Sequence, residues 1–113
     1  MLVGLFLVGW LASAAVLHRP VVGVIYLNDA LYAYTSRELI QQIRYAHQDP
    51  SVRAVVLVLD SPGGTVVDTE AVYLELARLR KTRPVVTLIQ GLGASGAYYL
   101  SVGTDYIVAG PNA

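Results

Sequence analysis

The chain has 113 residues, enough for one domain with a modest core. Hydrophobic residues make up 55% and charged residues 14%, so a membrane segment or part of a larger domain is expected rather than an average soluble domain. Eight basic and eight acidic residues leave a formal net charge of zero with no basic block for nucleic acid, and the lack of cysteine excludes disulfides, thiolate metal sites and a cysteine nucleophile.

Met1 to Leu17 contains no charged residue, and His18 and Arg19 close the run. At about 1.5 Å per residue it makes roughly 25 Å of helix, the short end of a membrane span. Ala12-Ser13-Ala14 would suit signal-peptide cleavage, but no Lys or Arg precedes the apolar run. A transmembrane anchor is therefore the first expectation, a cleaved signal segment the second and a buried soluble helix the third. Arg19 is the one charge near either end of the run, so charge asymmetry says little about orientation.

The texture changes after Pro20, and residues 20–113 read as one α/β unit. Val21 to Leu27 is a short β-branched run, expected as a buried strand. Thr35 and Glu38 have the spacing of a capping box, ahead of Leu39, Ile40, Ile43 and Ala46 at helical spacing, and Asp49-Pro50 ends that helix. A second strand lies within Val52 to Leu59 and breaks at Asp60-Ser61-Pro62-Gly63-Gly64. A helix is predicted over Val66 to Arg80, a third strand over Val85 to Ile89, a short helix to about Val102 and a fourth strand over Tyr106 to Ala109. The order β-α-β-α-β-α-β with continuously apolar strands predicts a parallel sheet with flanking helices, expected on both faces.

Ligand sites in open α/β sheets form where βα loops gather at the carboxyl ends of strands. Two such loops are rich in glycine: Asp60 to Gly64 and Gly91-Leu92-Gly93-Ala94-Ser95-Gly96. Each leads into a helix and so offers unpaired N–H groups. Acyl transfer needs a hydroxyl nucleophile and two N–H donors facing the oxyanion. Ser95 could supply the first, and Gly96 and Gly64 the second if the loops lie side by side. Glycine suits those positions because no Cβ obstructs a substrate chain. Taken singly, each loop is more simply a turn or a close-packing point. Gly91, Gly93 and Gly96 also spell G-x-G-x-x-G, but after the third strand and without an acidic residue to hold a ribose. Gly93 to Ala97 nearly spells the hydrolase elbow G-x-S-x-G, but Ala97 replaces its second glycine and no histidine follows residue 47.

Together, Asp60-Ser61-Pro62-Gly63-Gly64, then Ala94-Ser95-Gly96-Ala97-Tyr98-Tyr99, then Asp105-Tyr106-Ile107-Val108-Ala109 resemble the signal peptide peptidase A family. These are Ser-Lys serine proteases of the Clp protease/crotonase superfamily. The resemblance covers about residues 20–113, the N-terminal portion of such a domain. It implies Ser95 as nucleophile, Gly64 and Gly96 as oxyanion donors, and Gly63 as part of a strand-like substrate cleft. It also implies peptide substrates such as signal-peptide remnants, a membrane-anchored homo-oligomer with sites outside the cytoplasm, and no metal or organic cofactor. Ala97 stands where the family more often has glycine, which is expected to affect packing rather than chemistry.

The family's base is a lysine well downstream of the serine, and eighteen residues follow Ser95 here, none of them lysine. Lys81, the single lysine, lies between a helix end and Pro84 with Arg80 and Arg83 beside it, and is expected to be solvated rather than buried and neutral. His47 is expected at a helix C-terminus, His18 at the membrane boundary, Asp60 as a turn cap, and Tyr98 and Tyr99 as core or cleft walls. The 113 residues alone are therefore expected to be inactive. The rival expectations are a crotonase-like acyl-CoA enzyme, which needs the same N–H donors but no serine, and an inactive membrane-anchored scaffold.

Overall fold

The computed structural model describes residues 1–17 and 19–113, with residues 12–17 described by backbone alone. The elements are α1 (Leu2–Leu17), β1 (Val21–Leu27), α2 (Ala33–Gln48), β2 (Val52–Ser61), α3 (Val66–Arg80), β3 (Val85–Gly93), α4 (Gly96–Val102) and β4 (Tyr106–Ala109). The strands form one parallel sheet in the order β1-β2-β3-β4.

That order corrects the expectation of helices on both faces. Strands added one after another on the same side, with crossovers of one hand, return every connecting helix to the same face; covering both faces requires the strand order to reverse. Accordingly Ile25, Leu27, Val55, Leu57, Leu59 and Val85 share one buried cluster with Leu39 and Ile43 of α2, Val72, Leu76 and Leu79 of α3, and Ala97 and Leu100 of α4. The opposite face carries Val22, Val24 and Tyr26 of β1 and Tyr106 and Val108 of β4, all exposed. Ala97 is fully buried in this core.

Three boundaries differ from expectation. Helix α2 starts at Ala33, and Thr35 acts from inside its first turn: its hydroxyl oxygen accepts from the Tyr32 N–H at 2.9 Å and its proton goes to the Ala30 carbonyl at 2.7 Å. Glu38 does not reach back to close the expected box but accepts from the Tyr34 hydroxyl. Strand β2 continues through Asp60 and Ser61, and β3 through Gly93, because Ser61 pairs with Gly93 beyond the point where the apolar runs end.

Helix α1 forms as expected, and its described side chains at residues 2–11 are all exposed. Its 16 residues make about 24 Å, against the ~30 Å of a hydrocarbon core. Among the described residues no helix is long and apolar enough to cross a membrane. His18 lies outside the described residues, as do the side chains of Ala12, Ser13 and Ala14.

Candidate active site

Strand β3 ends at Gly93 and α4 begins at Gly96, so the chain must reverse within two residues. It does so at Ser95, with φ 52° and ψ −123°. Among the described residues this is the single non-glycine residue with positive φ. Such a backbone costs on the order of 1–3 kcal/mol and persists only where its surroundings enforce it. The result is an exposed serine whose side chain makes no capping bond to its helix.

The other glycine loop lies alongside. A Cβ built on Gly63, itself at φ +84°, would stand 2.8 Å from the Ala94 carbonyl and 2.9 Å from the Ser95 Cβ, so the loops are in backbone contact. Gly64 is held from its far side by a single bridge to Leu31: the Leu31 N–H donates to the Gly63 carbonyl, and the Thr65 N–H to the Leu31 carbonyl, each at 2.9 Å. That pairing uses the groups flanking Gly64 and leaves its own N–H pointing away from Leu31. Among the described residues, neither the Gly64 N–H nor the Gly96 N–H has an acceptor within the fold. Both glycines line, with Ser95, a cavity of about 410 Å³ completed by Val66, Thr69, Glu70 and Tyr99.

The walls have their own chemistry. The Tyr99 hydroxyl donates to Glu70 at 3.2 Å, and its ring lies 4.7 Å from that of Tyr73. Partial burial and the Glu70 carboxylate hold the Tyr99 phenol above its ordinary value of 10.0, so it stays protonated at neutral pH, as a cleft wall should. Tyr98 is exposed and does not line the cavity. The Thr69 hydroxyl oxygen is buried without a hydrogen-bond partner among the described residues. A larger groove of about 440 Å³ between β1 and α2 is lined by Gly23, Gln42 and Tyr45 among others, and holds no serine, threonine, lysine or histidine.

The remaining sequence candidates separate clearly. Asp60 accepts the Leu92 N–H at 2.8 Å and so caps the loop that leads into Ser95. Lys81 is exposed and caps the C-terminus of α3, at the start of β3. Ser95 lies past the other end of that nine-residue strand, roughly 27 Å away at about 3.3 Å per residue. His47 sits in the last turn of α2, also at the amino-terminal end of the strands. Arg83, two positions from Lys81, is half-buried instead: its guanidinium donates to the carbonyls of Ala46, His47, Asp49 and Val52. Sequence reasoning also passed over Ser61, fully buried at the junction of the two loops; its contact with Asp29 spans 32 positions and leaves no local signal.

Known proteins are similar to this chain in sequence and in fold. Protease 4 of Salmonella typhi is 47% identical over 72 residues, 63% of this chain and 12% of the relative. The chloroplastic serine protease SPPA of Arabidopsis thaliana is 31% identical over 77 residues, 68% of this chain and 11% of the relative. The Clp protease proteolytic subunit 1 of Protochlamydia amoebophila is 31% identical over 78 residues, 69% of this chain and 37% of the relative. The chain thus spans about an eighth of the length of the first two. A solved structure of a membrane-bound stomatin-specific protease with a substrate peptide has the same fold, with a TM-score of 0.68 at 23% identity over 80% of this chain and 42% of that one. Residues 11–113 match the Clp protease family, and with its kinship to Protease 4 and SPPA this chain belongs to that family, on its signal peptide peptidase A side.

Proposed function

We propose that this chain carries the nucleophile and oxyanion site of a serine endopeptidase. Ser95 attacks a peptide carbonyl and the N–H groups of Gly64 and Gly96 bind the resulting oxyanion; the adduct breaks its C–N bond, the amine half leaves with the proton taken from Ser95, and water then hydrolyses the ester to free the acid half and the serine. Gly63 lets the first loop lie against Ser95 and forms the wall along which an extended peptide is laid. The observation that carries this reading is the Ser95 backbone: φ 52° presents an exposed hydroxyl beside two unpaired N–H groups. A crotonase-like acyl-CoA enzyme needs the N–H pair but has no use for a strained serine, so the strain favours the protease.

The proton of Ser95 must go to a base; Lys81 and His47 stand at the other end of the sheet, Asp60 is engaged with the Leu92 N–H and Glu70 with the Tyr99 hydroxyl. The reading therefore assigns that role to a lysine outside residues 1–113, neutral through burial. The substrates proposed are residual signal peptides and other membrane-associated peptides. The exposed apolar helix α1 supports attachment to a membrane, the family resemblance supports a site outside the cytoplasm, and the exposed apolar sheet face supports assembly into homo-oligomers.

A fluorophosphonate probe tests the nucleophile. The natural full-length protein is expected to label, and Ser95→Ala to abolish labelling; labelling that survives the substitution sinks the assignment. The 113-residue chain alone is expected to stay unlabelled.

A further inference from the structure

Ser61 is fully buried where three segments meet. Its hydroxyl donates to the Asp29 carbonyl at 2.7 Å and accepts the Gly63 N–H at 3.1 Å. Its own carbonyl accepts the Ala94 N–H at 3.2 Å, one residue before Ser95. One residue thus ties the segment after β1, the glycine loop after β2 and the serine turn after β3.

We infer that Ser61 is the positioning residue of the oxyanion site. The chain entering Gly63 is fixed by the Ser61 hydroxyl, and the chain leaving it by the bridge to Leu31. Leu31 lies two residues from Asp29, whose carbonyl takes the Ser61 proton, so the support of the loop is anchored to the same side chain as the loop. With both sides of Gly64 held, its N–H keeps one direction. The Ser61 carbonyl meanwhile sets how far the Ser95 turn stands from that N–H. A preorganised donor costs no reorganisation during reaction, and a donor misplaced by about 1 Å can lower the rate on the order of a hundredfold. Serine suits this junction because its hydroxyl both donates and accepts, and its size fits a site with no solvent exposure. Alanine would leave the buried Gly63 N–H unpaired and take the donor from the Asp29 carbonyl.

The inference rests on the protease reading for its effect on rate, but its structural half is measured separately. In amide hydrogen exchange of the unmodified full-length protein, the Gly63 N–H is expected to exchange at least about tenfold more slowly than the Gly64 N–H, which has no internal acceptor. Equal rates overturn the proposal without bearing on Ser95. In Ser61→Ala and Ser61→Cys, Gly63 exchange is expected to rise to the Gly64 level, and fluorophosphonate labelling to slow by about tenfold to a hundredfold. Cysteine fills the space with a weak hydrogen-bonding group, so it carries the test if the alanine variant does not fold. Labelling by Ser61→Cys at the unmodified rate would show that volume, not the hydroxyl, holds the site, and would overturn the proposal. Should the unmodified protein not label at all, the protease reading fails while the exchange result still stands for or against Ser61.

Discussion

The Thr69 hydroxyl of α3 occupies the space that a Cβ on Gly96 of α4 would need. Gly96 is therefore glycine for a reason inside the fold, since the first turn of α4 lies against α3 at a residue that is stiff about χ1. Gly96→Ala is expected to cost about 1–3 kcal/mol in urea denaturation. Thr69→Ala should recover most of that loss in the double variant, because the Thr69 Cβ itself would lie 3.3 Å from the new methyl, which a small shift accommodates. Thr69→Val alone should be neutral or slightly stabilising, since it removes a buried hydroxyl that has no partner among the described residues. If the double variant is no more stable than Gly96→Ala, the collision is not what fixes this glycine.

Gly64 offers a contrast. A Cβ there would strike the backbone carbonyl of Leu31, which no side-chain change can move. Gly64→Ala is expected to break the Leu31 bridge, to lower stability by about 1–3 kcal/mol and to abolish fluorophosphonate labelling of the full-length protein. No variant of a neighbouring side chain should restore either property. Recovery of labelling in a second-site side-chain variant would show that the bridge is not the constraint.

Lys81 stands at the far end of β3 from Ser95, solvated at the C-terminus of α3. Lys81→Met is expected to leave both stability and labelling of the full-length protein within experimental error of the unmodified protein. A large loss of labelling would place the base here after all and would require a very different arrangement of the loops.

Glu75 is buried on α3 and accepts from Arg44 of α2 at 2.8 Å and from Arg78 at 3.1 Å. The hydrogen bond from Arg44 holds its carboxyl below the ordinary value of 4.5. A carboxylate more acidic in the folded state stabilises the fold above its unfolded value, and that contribution is lost as the pH falls through the folded one. Glu75→Gln should therefore cost about 1 kcal/mol at neutral pH, a modest figure because Arg44 is largely exposed. The difference from the unmodified protein should shrink as the pH is lowered below 4.5. A difference that does not change with pH would mean that shape rather than charge sets it.

The sequence disclosed most where the signal was local. The helix at Val66–Arg80 and the strands at Val21–Leu27 and Tyr106–Ala109 fall where apolar pattern and turn residues put them. The extensions of β2 and β3 were invisible because Asp60, Ser61, Gly91 and Gly93 are turn formers by their own preference. Only partners across the sheet keep them extended. The two glycines beside Ser95 were legible as a pair, but the expected reason, access for a substrate, was incomplete: Leu31 and Thr69 also require them. Arg83 stayed hidden because its carbonyl partners lie more than 30 positions away, and Ser61 because the Asp29 carbonyl that ties its loop to the next segment lies 32 positions away.

Arg83 provides the last test. Its guanidinium reaches the carbonyls of Ala46, His47, Asp49 and Val52, so it serves the unpaired C-terminal end of α2 and the turn into β2 together. A planar fork with several donors can meet this set, while an ammonium group is a compact point charge. Arg83→Ala is expected to lower stability by about 2–3 kcal/mol, and Arg83→Lys to recover only part of it. Arg80, exposed and paired with Asp105 at 2.9 Å, should cost well under half as much when replaced by alanine, because surface pairs contribute little. Urea denaturation of the three variants decides the matter. Equal losses for Arg80→Ala and Arg83→Ala would mean that the carbonyl cluster contributes no more than an ordinary surface pair.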